Sequence, residues 1–195
     1  MRLHSPDPFA RGLDYLYVMR SLTLDPEMVD LVFDLDTRSP ICTWIGDRIE
    51  QVNGSLQQCL QACHHCFHPA DQPAIQIFAA PLASRFGIDG LCNLNTTPIT
   101  LLIDVGRVVP QDWLALVAHE YAHAYVCSPG HHSEFAQSLA HLCLGLAIAN
   151  PPAAENRLRV YPPYRSTSDP LAFWRGESEW RSSVTDYYIS REPIS

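Results

Sequence analysis

Apolar residues recur at three-to-four spacing near both ends of the central chain and alternate between them. In ICTWIGDRIEQVNGSLQQCLQACHHCFHP, the residues Ile45, Ile49, Val52, Leu56, Leu60 and Cys63 form one helical stripe. Asn53-Gly54 marks an expected kink and Pro69 the end. Upstream, helices are expected near 10–20 and 26–35, the second opened by Asp25 as a cap and Pro26 in the first turn. The period then shortens. PAIQIFAAP alternates like a strand, with a proline at each end. GLCNLNTTPITLLIDV reads as two strands about a Thr-Thr-Pro turn. The first is short and polar enough for a sheet edge, and ITLLIDV is apolar enough for the interior. The helical period returns after Pro110 and runs unbroken from Trp113 to Val126, where Ser128-Pro129-Gly130 follows. A further helix, reaching about Ala149, carries Phe135, Leu139, Leu142 and Leu146 on one face.

This order predicts an α+β fold: a small, mostly antiparallel sheet packed on the Trp113–Val126 helix, with additional N-terminal helices. The expected organisation is an N-terminal helical or irregular segment over 1–40, a core over 41–150, and a Pro- and aromatic-rich extension over 151–195.

Composition narrows the function. Apolar residues make up 47% of the 195 and charged ones only 17%, which suits a folded domain and not a disordered chain. All thirteen basic residues are arginine. Without lysine, Schiff-base chemistry and a GxxxxGK phosphate loop are excluded. A net charge of −8 opposes a phosphate-binding groove, so no nucleic-acid partner is expected. Asp14 interrupts the one run that resembles a signal-peptide core, and no stretch approaches the ~20 apolar residues of a membrane span. Seven cysteines, without framework spacing, read as free thiols in a reducing compartment. The expectation is a cytoplasmic protein without membrane association.

The chemistry concentrates in LVAHEYAHAYVCSPGHHSEF. His119-Glu120-Tyr121-Ala122-His123 is an HExxH sequence. On a helix, residues four apart share one side, so His119 and His123 can offer two imidazoles to one metal ion. Glu120 is rotated by about 100°, beside the metal and not on it, where its carboxylate can take a proton from the attacking water. The opposite face (Leu114, Val117, Tyr121, Tyr125) is apolar and suits a core. A catalytic zinc site takes three protein ligands. The Pro129-Gly130 break can return the chain to the metal, and His131, His132, Glu134 and His141 are the candidates. Relative to Phe135, His131 and His132 stand at about −40° and +60°, while Glu134 and His141 point away. Phase leaves the adjacent pair unresolved. The HExxHxxGxxH spacing does not apply, because Val126 replaces its glycine and Pro129 its third histidine.

With its Pro-Gly turn between LVAHEYAHA and HHSEF, the chain resembles the HExxHA…HGxxF pattern of SprT-like and related minimal zinc peptidases. GLCNLNTTPITLLIDVGRVVPQDW is similar to their hairpin and strand leading into the active helix. The resemblance covers roughly Ile75 to Leu146. It implies a zincin-like fold and a zinc-dependent peptidase acting on a peptide or protein substrate. Zn²⁺ would be held by His119, His123 and His131, the last selected by its place four residues before Phe135, with Glu120 as general base. It also implies that an extended substrate pairs with the edge strand, Gly90 to Asn95. The absence of paired CxxC motifs and the acidic charge separate this chain from the DNA–protein-crosslink branch of the group. The alternative is a catalytically inactive zinc-binding module acting in protein binding or metal handling.

Other features carry plainer expectations. In CLQACHHCFH, Cys59 and Cys63 fit the apolar stripe, so core cysteines with exposed histidines are favoured over a second metal or a Cys63/Cys66 redox pair. Burial is expected for Cys127, a turn past His123. Tyr161 and Tyr164 in YPPY are expected to pack, not to stabilise an oxyanion. The aromatic residues of FWRGESEW are expected to cover the core.

Overall fold

Asp7 caps the first helix, α1 (Pro8–Ser21), by accepting from the Ala10 N–H, and Pro8 fills the first turn where no donor is needed. The computed structural model describes residues 7–30, 34–149, 151 and 155–178. The second expected helix is only a short turn, Pro26–Met28, with Asp25 as its cap. Residues 31–33 of that stretch lie outside the described residues.

Helix α2 (Leu35–His64) starts on an Asp34 cap and crosses the expected boundary at residue 40. It packs along α1 with the two backbones nearly touching. A Cβ on Gly12 or on Gly46 would lie 1.9 Å from the carbonyl oxygen of Cys42 or Pro8, so no larger residue fits at this crossing. The expected kink at Asn53-Gly54 does not interrupt α2. Instead of competing with its own backbone, the Asn53 side chain reaches out of the helix. It accepts from the Ala79 N–H (2.8 Å) and donates to Tyr15 Oη (3.1 Å), which donates to the Ala79 carbonyl (2.7 Å). This ring of bonds ties α1 and α2 to the end of the first strand.

The sheet has three strands, β1 (Ile75–Ala79), β2 (Gly90–Asn93) and β3 (Ile99–Ile103), in the order β1-β3-β2. β3 is central and nearly all buried, and β2 is an edge. β2 runs antiparallel to β3, with Gly90 opposite Ile103. β1 runs parallel to β3, with Ile75 opposite Ile99. The sheet is therefore mixed and not mostly antiparallel. Alternation along a strand records which face is buried but not the direction of the neighbour. Here the β2–β3 hairpin folds back so that β3 slots between β2 and β1.

Helices α3 (Trp113–Val126) and α4 (Ser133–Gly145) follow. α4 stops earlier than expected, and Ala147 beyond it takes a left-handed conformation. Just past β3, the buried Asp104 carboxylate accepts from the N–H groups of Leu82 and Gly106, from Arg107 Nε and from Trp174 Nε1. Burial pushes Asp104 up to about 6, and the four donors with the Arg107 charge keep it ionised at neutral pH. The Trp174 bond docks α5 (Pro170–Trp174), whose Phe173 and Trp174 rings meet Trp44 of α2 edge-on. Leu16 and Met19 of α1, Phe173 and Trp174 of α5, and the sheet and central helices share one hydrophobic core. The expected segments before 41 and after 150 thus both contribute to it, while Glu179 and Trp180 fall outside the described residues. Among those residues, no helix is long and apolar enough to cross a membrane.

Candidate metal centre

α3 is apolar almost all round and is buried from Trp113 to Ala124 except at Leu114. Val117 and Tyr121 anchor the face away from the histidines, and the Tyr121 hydroxyl meets His64 Nδ1 of α2 at 3.0 Å. Leu114 and Tyr125 on that face are half-buried. The helix ends because Cys127 adopts the left-handed conformation and the Ser128 N–H returns to the His123 carbonyl. The chain then reverses through Pro129-Gly130 into α4.

That reversal brings His131 back to His119 and His123. Their nitrogen ligand atoms all lie within 4.8 Å of one another, close enough to hold a metal ion. His119 Nε2 is 3.3 Å from His123 Nε2 and 3.2 Å from His131 Nε2. Phe135 lies against all three rings, with centroids 4.4 to 5.1 Å away, and forms the apolar floor of the cluster.

The hydrogen bonds on the far side of the rings test whether a cation fits. His119 Nδ1 is 2.7 Å from the Tyr161 carbonyl, and His123 Nδ1 is 2.9 Å from the Ser128 carbonyl. A carbonyl only accepts, so each Nδ1 carries the proton. Burial lowers both histidines to about 4, so at neutral pH both are uncharged and each Nε2 presents a bare lone pair. Two such lone pairs facing each other repel. A cation between them removes the repulsion, and the carbonyl partners fix the rings as second-shell groups do around metals.

Glu120 is buried on the neighbouring side of α3, packed against the first residue of β2. A Cβ on Gly90 would lie 2.7 Å from Glu120 Oε1, so only glycine leaves this carboxyl its place. Burial, then the nearby Asp89 charge, raises Glu120 to about 8. Asp89 itself accepts from Tyr164 Oη at 2.8 Å and lies 3.8 Å from Arg107. Burial, then the hydrogen bond to and charge of Asp89, push the Tyr164 phenol upward, with Glu120 a smaller contributor.

The remaining candidates point elsewhere. His132 folds back over Gly130 and is not among the converging ligands. Glu134 is exposed beside Ser133, and His141 bonds the Cys66 carbonyl and packs on Phe67. Cys127, expected to be buried, is exposed, because the left-handed cap turns it off the helix axis. Cys59 and Cys63 are core residues and His65 and His68 are exposed, as expected, whereas Cys66 is half-buried and His64, expected to be exposed, is half-buried against Tyr121. Among the described residues the three-histidine cluster is the single candidate metal site.

Three contributors carry no side-chain signature in the sequence: the carbonyls of Tyr161 and Ser128, and the missing Cβ of Gly90. The segment holding Tyr161 is fastened by backbone bonds from Val109 to Arg165 and from Thr167 to Arg107, and by an Arg165–Asp112 ion pair.

Fold and site together define a small α+β protein with a mixed three-stranded sheet and a three-histidine cluster formed by its central helix and the turn that follows it. Comparison with protein-family models, curated proteins and solved structures finds no match for the chain.

Proposed function

We propose that this protein is a zinc-dependent metallopeptidase of the SprT-like, zincin type, with His119, His123 and His131 as ligands and Glu120 as general base. The observation carrying this reading is the pairing of three converging imidazoles with a buried carboxyl on the adjacent helix position, both beside a sheet edge. Three imidazoles suit a borderline-soft ion such as zinc. Bound there, zinc would polarise a substrate carbonyl and make a water acidic enough to react at neutral pH.

The chain's own residues supply the rest. Tyr161 and Ser128 hold His119 and His123 in the ligating tautomer. A neighbouring cation lowers Glu120 from its raised value, leaving a carboxylate able to accept a proton at neutral pH and return it to the leaving amine. The Asp104 N–H donates to the Asp89 carbonyl, so in the antiparallel ladder Asp89, Leu91 and Asn93 face β3 while the main-chain groups of Gly90 and Cys92 turn to the open edge. An extended peptide added at that edge runs alongside Glu120 and the histidines.

The test is Glu120→Gln. Zinc content should remain at wild-type level, and cleavage of an unstructured substrate such as casein should fall by about 10²–10⁴-fold. Equal cleavage by the variant rejects the base assignment. A wild type that binds zinc and cleaves nothing leaves a metal-binding module instead.

A further inference from the structure

Apart from the metal cluster, a groove of about 650 Å³ opens between the residues after α2, the end of α3 and α4. That volume is within the range of sites that hold ligands. None of the three clustered histidines lines it. Its aromatic side is Phe67, stacked on Tyr125 with ring centroids 4.1 Å apart. The His141 ring lies 4.8 Å from Phe67 and is held by the Cys66 carbonyl at 2.7 Å. Asp71 and Glu134, both exposed, add two carboxylates, and no arginine is among the described lining residues. Ser138 of α4 also lines the groove. It is only 6% exposed, and its buried hydroxyl has no hydrogen-bond partner. A serine within a helix ordinarily bonds the carbonyl one turn back or points to water, and this one does neither. A buried hydroxyl without a partner is unfavourable, and a donor entering the groove beside Ser138 would supply one.

We propose that this groove binds an arginine side chain presented by an extended segment of a protein partner. Each part of the lining specifies one property of that occupant. The two carboxylates call for a cation. The aromatic rings favour a planar, weakly hydrated one, which is a guanidinium and not an ammonium. A guanidinium carries five N–H donors, enough to pair with a carboxylate and still donate to the Ser138 hydroxyl. It fills a small part of the groove, which leaves room for neighbouring residues of the same segment. The chain's charge of −8 favours the approach of a basic partner. Nothing in this site depends on the metallopeptidase reading.

The experiment uses isotope-labelled full-length Glu120→Gln protein, so that a peptide reaching the metal centre stays whole. It is titrated with an acetylated alanine pentapeptide amide carrying one central arginine, and with the same peptide carrying citrulline, which keeps the shape and loses the charge. Backbone amide resonances should move at Phe67, Tyr125, Glu134 and Ser138. The arginine peptide should bind about tenfold more tightly than the citrulline one, the size of an exposed ion pair plus a cation–π contact. Asp71→Asn combined with Glu134→Gln should abolish that difference. Ser138→Ala should weaken the arginine peptide about threefold, the size of one hydrogen bond, without lowering the melting temperature. Equal binding of the two peptides, including no binding of either, overturns the proposal. So does an arginine preference that survives the double variant, unchanged affinity in Ser138→Ala, or shifts confined to the histidine cluster. Acetyl-arginine amide binding as tightly as the pentapeptide overturns the assignment to a protein segment.

Discussion

His119 Nδ1 donates to the carbonyl of Tyr161, 2.7 Å away and 42 residues later in the chain. A candidate metal ligand on the central helix thus has its tautomer set by a segment beyond α4. That segment is tied to the loop before α3 by Arg165 and Thr167, so the described residues 155–178 pack on the domain and reach the site.

The ligand set predicts a pattern of metal content. Purified wild type should carry one zinc per chain by elemental analysis. His123→Ala and His131→Ala should each fall well below stoichiometric content, whereas His132→Ala should keep it, because His132 turns back over Gly130. Zinc retained in His131→Ala together with loss in His132→Ala would reverse the assignment of the third ligand.

Gly90→Ala separates catalysis from folding. The added methyl group meets Glu120 Oε1 at 2.7 Å, and the carboxyl is the part that must move. Zinc content should be unchanged, while kcat/KM falls by at least about tenfold, equivalent to about 1.4 kcal/mol of transition-state stabilisation. Full activity in Gly90→Ala would show that the Glu120 position is not critical.

The metal-free protein should show a pH signature of Glu120. Its folded value of about 8 lies above the unfolded glutamate value of about 4.3, so the folded state holds a proton that the unfolded state has released. The stability this proton represents is complete below the unfolded value and is lost as pH rises toward 8. Glu120→Gln has no such proton. The gap in melting temperature between Glu120→Gln and wild type should widen in favour of the variant from about pH 5 to 8 and level off above. Saturating zinc should shrink the gap, because the cation stabilises the carboxylate. A gap independent of pH in the metal-free proteins would contradict the raised value.

Asp104→Asn tests the docking of α5. The carboxylate accepts four N–H donors, and an amide must turn its own donor toward some of them, leaving Arg107 without its buried partner. Loss of one partner from such a buried pair costs about 3–5 kcal/mol, visible in urea melts. A change within about 0.5 kcal/mol would mean that Asp104 is not the anchor described.

How much of this was legible depends on the range of the interactions. The helical run through His119 and His123, the edge position of Gly90 to Asn93 and the buried strand Ile99–Ile103 follow from periodicity, which is local. The uninterrupted passage of α2 through Asn53-Gly54 was not legible, because Asn53 is satisfied by Tyr15 and Ala79 from other elements. Nor was the parallel pairing of β1, since alternation carries no direction.

The same division holds at the candidate site. By itself the sequence determined that two histidines and a glutamate lie within about one turn of the same helix, because 3.6 residues per turn fixes their relative angles. Residue phase left His131 and His132 equal. The family spacing before Phe135 favoured His131, and the tertiary structure brings His131 to His119 through the reversal after Cys127 while turning His132 over Gly130. It alone placed the Tyr161 carbonyl beside His119 and the Gly90 backbone against Glu120. Backbone groups and a missing methyl have no pattern in one dimension; they acquire a role only when chain folding brings them within contact of the histidines and Glu120.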